Sequence, residues 1–412
     1  MVRSMVFFLA LPLVILLFDF AVKAILDLAF AKKISSSEES EKLALTKGKI
    51  YKTIVFVFCV LLLTSICAFR SLSVGNDTKN YYDFYIQTKS YSFADALHGH
   101  PNFERGYGMY NWLFSSVNAP YYLFCFVTYL FIFVAVVWAC FAFSKYPTLA
   151  VSLYICFTFF VLNLSAVRQS LAFAFCLYSL LIFFRAKNSL WIKALAILPY
   201  LLAISFHASS SLFILVYFFY FVRIKTKSRL AVLLLAVAAI ACFFPAVSSV
   251  AIQKLTKPAR VYSFDPPATA GRGISGTLIL LALTGGGYLL YEVFRPRLDL
   301  SLEKSRISND NRVIRLFSPL FNEGEVNYQI GFAMLLFQFV FVLLDSTIFL
   351  LARLAAYGAL GFCLLLPNLL FALSKKKPNN LILLAVAAFG VFYFFYTVLR
   401  LNYLHILPYG VF

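Results

Sequence analysis

From residue 6 to residue 399 the chain returns repeatedly to apolar runs long enough to cross a lipid bilayer, and this recurrence limits its fold more than any other feature. A spanning helix needs about 17–25 predominantly apolar residues. Such runs read at 6–30, 53–69, 121–143, 148–166, 169–184, 191–206, 208–222, 230–251, 274–294, 328–346, 348–373 and 381–399. Hydrophobic residues make up 62% of the 412 and charged residues only 13%, a balance few soluble domains could bury. The expected fold class is an all-α polytopic membrane protein of about 12 transmembrane helices, within a range of about 10–13. It reads as a single integral membrane domain over 1–412, with outer loops at 70–120 and 252–273 and a cytoplasmic loop at 295–327.

The first run ends in Ala29-Phe30-Ala31, which resembles a signal-peptide cleavage site. Asp19, Lys23 and Asp27 interrupt the run and six lysines follow by Lys52, so it reads as a retained helix. The three charges share one helical stripe and are expected to neutralise one another while facing protein. Eight cysteines all fall in apolar runs without a C-x-x-C pair, the pattern of small buried hydrophobes.

A net charge of +19 in a soluble chain would suggest nucleic acid. Here 23 of the 36 basic residues sort into 31–52, Lys145, 185–193, 223–229, 295–327 and 374–380, alternate connections that can all be cytoplasmic together. The positive-inside rule then places both termini and the loops 70–120 and 252–273 on the extracytoplasmic side. The excess charge is mostly topological and anchors the inner ends to anionic membrane lipids. Nucleic acid is not an expected partner.

That topology gathers several charged residues on one face. Arg168 stands between two spans, His207 at a tight turn between two more, and Arg353 about five residues into its run. An Arg at the bilayer centre costs about 2.5–3.5 kcal/mol on insertion scales, so such residues persist where something polar meets them. Snorkelling to headgroups explains either arginine singly, but two on one side weaken that account, and the guanidinium fork suits phosphate. Asp77, in Val74-Gly75-Asn76-Asp77-Thr78, and Glu104, in Glu104-Arg105-Gly106-Tyr107, fall on the same side. A turn-forming Asp and a surface Glu are the plain alternatives. Together the five residues suit an anionic, lipid-linked substrate. Neighbouring tyrosines suit stacking on sugar rings, and a carboxylate could accept the proton of an attacking hydroxyl. His98-Gly99-His100 lacks further metal ligands, Gly285-Gly286-Gly287 lies inside a span, and no nucleotide-binding loop occurs. No metal or cofactor is expected.

At these residues the chain resembles the EpsG/Wzy-type polysaccharide polymerases of bacterial inner membranes. The matching pieces are Val74-Gly75-Asn76-Asp77-Thr78 with Tyr81; Glu104-Arg105-Gly106-Tyr107; Arg168-Gln169; Ser205-Phe206-His207-Ala208-Ser209; Arg353 with Tyr357 and Pro367; and the tail His405-Ile406-Leu407-Pro408-Tyr409. The segment 295–327 is less typical of that family. The resemblance implies a GT-C-like multi-span glycosyltransferase of the inner membrane. Such an enzyme moves a growing glycan from undecaprenyl diphosphate to the non-reducing end of a new lipid-linked repeat at the periplasmic face. Glu104, Asp77, Arg168, His207 and Arg353 would be the catalytic residues. Tyr81, Tyr107, Gln169, Arg260, Arg272 and Tyr357 would bind substrate, and a chain-length regulator protein would be a partner. Arg168, Arg353 and His207 would neutralise the departing diphosphate, and Glu104 or Asp77 would take the proton. The alternatives are a ligase or acyltransferase using lipid-linked substrates, and a flippase of lipid-linked oligosaccharide. A ligase is expected to carry a larger outer loop late in the chain, and a flippase mid-membrane charges with internal symmetry.

Overall fold

The computed structural model describes residues 2–30, 37–100, 103–157, 159–186, 189–222, 328–345, 356–358, 360–373, 388–395 and 409–411. Among them regular structure is entirely helical, with two isolated β-bridges and no strand. Among the described residues four helices are long and apolar enough to cross a membrane, and a fifth span is available if one bent pair counts as a single crossing. The runs expected at 230–251 and 274–294 lie outside the described residues, as do most of 381–399 and the two loops 252–273 and 295–327.

Two compact units divide the chain. The first comprises residues 1–211 together with 297–327 and 366–412. Its long helices are α1 (Val2–Phe30), α2 (Ser37–Ala68), α6 (Tyr121–Phe143) and α9 (Val167–Arg185). α2 lies along α6, α6 along α9, and α1 against α2. These helices are apolar around most of their circumference, so neighbours bury one side of each and the rest is left to lipid. Rings fill the α1–α2 seam, where Phe18 stacks on Phe58 at 3.7 Å.

The polar residues of α1 are distributed differently from the expected self-neutralising stripe. Asp19 is buried, takes a 3.0 Å hydrogen bond from Lys23 and accepts another from Tyr51 of α2. Asp27 is exposed and pairs with Lys47. Lys47 is available because α2 starts at Ser37, so much of the lysine-rich segment read as a loop is helix. Strong helix formers such as Glu, Lys, Leu and Ala there carry the apolar helix outward.

The run expected at 148–166 is two helices, α7 (Pro147–Cys156) and α8 (Phe159–Ser165), bent by 60°. Asn163 holds the bent pair. Its side chain donates to the Tyr154 hydroxyl at 2.7 Å, and its carbonyl accepts from Tyr129 of α6 at 3.0 Å. The run at 191–206 is likewise α10 (Leu190–Leu195) and α11 (Ile197–Phe206), meeting at Ala196.

The segment 70–120, read as a loop, is a small helical cap. It contains α3 (Thr78–Gln87), α4 (Phe93–His98) and α5 (Arg105–Ser115). Tyr81, Phe84 and Tyr85 turn one face of α3 inward. Ser92 and Asp95 close a capping box at the start of α4. Phe84, Phe103, Tyr81 and Tyr107 form its aromatic core, with Phe84 and Phe103 stacked at 4.0 Å.

The second unit covers 212–296 and 328–365. Its described parts are α12 (Ile214–Val222), α13 (Tyr328–Asp345), a 3-10 turn at Ala356–Gly358 and the start of α14 (Leu360–Leu373). Phe213 lies 6.4 Å from the ring of Phe337 and 6.4 Å from that of Tyr357.

Candidate functional site

α8 and α9 are interrupted at Ala166, whose φ of −108° and ψ of 64° are not helical. Arg168 therefore projects from the first turn of α9, beside the cap. Its Nη1 lies 2.5 Å from Glu104 Oε2, and the two side chains are 20% and 19% exposed. The guanidinium also sits 4.7 Å from the centre of the Phe103 ring and 6.0 Å from that of Tyr81. Flat cation on ring and charge on carboxylate fix its direction together.

Glu104 occupies the N-cap of α5 but makes no capping hydrogen bond. Asp, Asn, Ser and Thr favour that position, and Glu is poorly shaped for it. Its carboxylate is engaged elsewhere. Oε2 meets Arg168 and Oε1 takes a 3.0 Å hydrogen bond from His207 Nδ1. His207 ends α11 in an extended conformation, φ −157° and ψ 111°, which turns its ring out of the helix toward the cap.

What brings Glu104 to His207 is a close backbone approach. A Cβ on Gly106 would fall 2.3 Å from Ser205 Oγ and 2.8 Å from the Ser205 carbonyl oxygen. Gly106→Ala is therefore expected to push α5 off α11, costing about 1–3 kcal/mol by overpacking. Gly108→Ala serves as control, since its nearest neighbour would be an ordinary 3.6 Å away. Thermal unfolding of the two variants in detergent checks this: a loss in G106A alone is expected, and equal melting contradicts the packing argument.

The electrostatics bear on proton handling. Burial pushes the Glu104 carboxyl up, but the hydrogen bond from His207 and the charge of Arg168 reverse that and hold it at about 2. An ionised carboxylate only accepts hydrogen bonds, so Nδ1 of His207 is the donor in this contact and Nε2 is not engaged by Glu104. Among the described residues Nε2 takes no hydrogen bond. The stabilisation from this depressed group is complete above the usual 4.5 and is lost as pH falls through about 2. Melting temperatures of wild type and Glu104→Gln are therefore expected to differ steadily at neutral pH and to converge as pH drops below about 4.5. A gap that stays constant to pH 3 would contradict the assignment.

The second motif lies against the α8–α9 break. Gly75 has φ +89°, and a Cβ there would stand 2.1 Å from the Leu164 carbonyl oxygen, so only glycine fits. The Asn76 N–H donates to Ser165 Oγ at 3.1 Å. Asp77 follows as the half-exposed N-cap of α3, with no side-chain capping bond. Among the described residues no hydrogen bond or ion pair joins it to Arg168 or His207.

The remaining sequence candidates are placed as follows. Tyr81 is 4% exposed and Tyr107 fully buried, packed edge to face at 5.7 Å. Tyr107 thus offers no free ring face to a sugar and instead supports the Phe103–Tyr81 wall behind Arg168. Gln169 is 4% exposed, one residue past Arg168. Tyr357 is buried within the second unit. Arg260, Arg272 and Arg353 lie outside the described residues. Among the described residues no three His, Cys, Asp or Glu side chains cluster as metal ligands. The sequence pattern assigns no role to Phe103, Ser205 or Arg70. An aromatic in an aromatic-rich cap carries no distinguishing mark, and an Arg just past a span resembles an ordinary headgroup anchor.

The arrangement combines a fixed cation, a carboxylate with both oxygens engaged, and an imidazole with one nitrogen held and the other open. No curated protein and no solved structure matches the chain. The model of the EpsG family matches residues 53–411, a stretch that holds the Glu104–Arg168–His207 cluster and the Gly75–Thr78 turn. The chain belongs to the EpsG family.

Proposed function

We propose that the protein polymerises undecaprenyl-diphosphate-linked oligosaccharide repeats at the periplasmic face of the bacterial inner membrane. It transfers the growing glycan from its lipid carrier to the non-reducing end of a new lipid-linked repeat. Family membership supports a polysaccharide-polymerase-like membrane protein. The observation that carries the finer reading is the bridging of Arg168 and His207 by one carboxylate. On this reading the full chain has about twelve spans in a GT-C-like arrangement, and Arg260, Arg272, Arg353 and Tyr357 bind substrate. A chain-length regulator protein acts on the same product.

In the reaction, the acceptor hydroxyl oxygen bonds to the anomeric carbon of the donor sugar. The bond from that carbon to the diphosphate oxygen breaks, and the lipid diphosphate leaves with the electron pair. Arg168 neutralises the charge on the leaving group through its guanidinium. The hydroxyl proton passes to His207 Nε2 rather than to Glu104, because Glu104 has both oxygens engaged and a carboxyl held at about 2. Glu104 instead fixes the imidazole and its tautomer. Asp77, half-exposed beside the break, orients the acceptor hydroxyls. Holding two lipid-tethered substrates together supplies the remaining rate enhancement without nucleotide.

The test is the length distribution of surface polysaccharide in a strain lacking this protein, restored with wild type or with His207→Ala. Wild type is expected to restore the ladder of lengths, and H207A to give single repeats. A normal ladder from H207A, or single-repeat product with wild type, would refute the reading.

A further inference from the structure

Arg70, two residues past the end of α2, is 2% exposed, although no carboxylate bonds to it among the described residues. Its Nη1 donates to the Cys67 carbonyl at 2.5 Å and its Nη2 to Thr78 Oγ1 at 3.2 Å. The guanidinium carbon lies 5.0 Å from the centre of the Tyr129 ring, and Nε is buried without a hydrogen-bond partner. Burying a cation without a counter-charge is unfavourable, so stability alone is a poor account of this residue.

Its contacts suggest a different role. Thr78 Oγ1 stands 2.6 Å from the Val74 carbonyl and 3.2 Å from the Leu164 carbonyl. With the Gly75–Leu164 approach and the Asn76–Ser165 bond, it fastens loop 74–78 to the last residues of α8. Arg168 leaves the chain three residues after Ser165. The same corner holds the C-terminal tail, where Ser71 N–H donates to the Gly410 carbonyl at 2.7 Å and Tyr409 to the Ile66 carbonyl at 2.5 Å.

We propose that Arg70 is a positioning residue: through Thr78 it clamps loop 74–78 onto the α8–α9 break and so sets the place from which Arg168 reaches Glu104. The proposal rests on the reading of Arg168 given above as the group that meets the leaving diphosphate. Its fork bridges the end of α2 and the loop from two nitrogens held in one plane, a geometry that an apolar side chain lacks and the point charge of lysine does not reproduce.

Two measurements test it, one independent of activity. Hydrogen–deuterium exchange of the Asn76 amide reports on the loop, because that N–H is held by Ser165 Oγ. Its exchange is expected to speed up several-fold in Arg70→Met. In a transfer assay on lipid-linked repeats, Arg70→Met is expected to lower kcat about 10- to 100-fold, the effect of a misplacement of roughly 1 Å. KM should change little, and Arg70→Lys should recover only part of the loss. Thr78→Val, which keeps shape but removes the hydroxyl, should move both readouts the same way, and it decides alone should R70M fail to accumulate. Unchanged amide exchange, or faster exchange with wild-type turnover, overturns the proposal. An active Arg168→Ala variant would instead defeat the functional reading, while exchange of the Asn76 amide would still report on the clamp.

Discussion

Arg168→Ala is expected to leave cells with single lipid-linked repeats and no long polymer. Two effects act together. The leaving diphosphate loses its fixed cation, and removing one such preorganised donor typically costs about 10²–10³ in rate. Glu104 also loses the partner 2.5 Å from Oε2 while still largely buried. An uncompensated carboxylate in that position will rotate toward the remaining donor or take up a proton, and either change disturbs His207. Arg168→Lys is expected to recover little, because a lysine ammonium cannot meet Glu104, stack over Phe103 and reach a phosphate oxygen at once. Quantifying lipid-linked repeats against polymer separates this from poor expression. Single repeats should accumulate in the variant, with normal amounts of protein in the membrane.

Glu104→Gln is expected to be nearly as severe, although it preserves shape. Arg168 and Nδ1–H of His207 are both donors, so the site needs an acceptor on each side. An amide has one oxygen. If that oxygen faces Arg168, the amide nitrogen faces His207 and favours the tautomer with its proton on Nε2, which abolishes the basic nitrogen. If it faces His207, the amide nitrogen confronts the guanidinium. A wrong tautomer behind an orienting carboxylate can cost about 10⁴ in kcat in a serine-protease triad, and about 10²–10⁴ is expected here. Because the three residues act as one unit, the Arg168→Ala/Glu104→Gln double variant should be little worse than either single variant. Additive losses would indicate that the residues work separately.

Part of this site is visible in the sequence. Arg168 and His207 stand out because charge and imidazole are costly at the ends of apolar runs, and Glu104 joins them once the basic loops assign the topology. Their pairing is not visible. It depends on α5 lying close enough to α11 for Gly106 to touch the Ser205 backbone, a tertiary contact with no local pattern. The helical cap was hidden for a related reason. α3, α4 and α5 are 10, 6 and 11 residues long and mix tyrosines, glycines and charges, so burial in the cap stabilises them more than propensity does. The bend after Cys156 leaves no mark either, since composition is equally apolar on both sides of Phe157. Orientation of the long helices is an expectation that rests on lysine and arginine counts alone. Arg70 shows where that logic stops, because counting bases at span ends cannot separate an anchor in the headgroups from a guanidinium buried among Cys67, Thr78 and Tyr129.

The most direct measurement uses purified protein in lipid vesicles, supplied only with undecaprenyl-diphosphate-linked repeats. The products to follow are oligomers of increasing length and one released lipid diphosphate per bond formed. Wild type should make both without nucleotide, and Arg168→Ala, Glu104→Gln and His207→Ala should make neither beyond traces. Oligomers produced at wild-type rates by any of the three variants would contradict the account, as would wild-type protein that releases no lipid diphosphate.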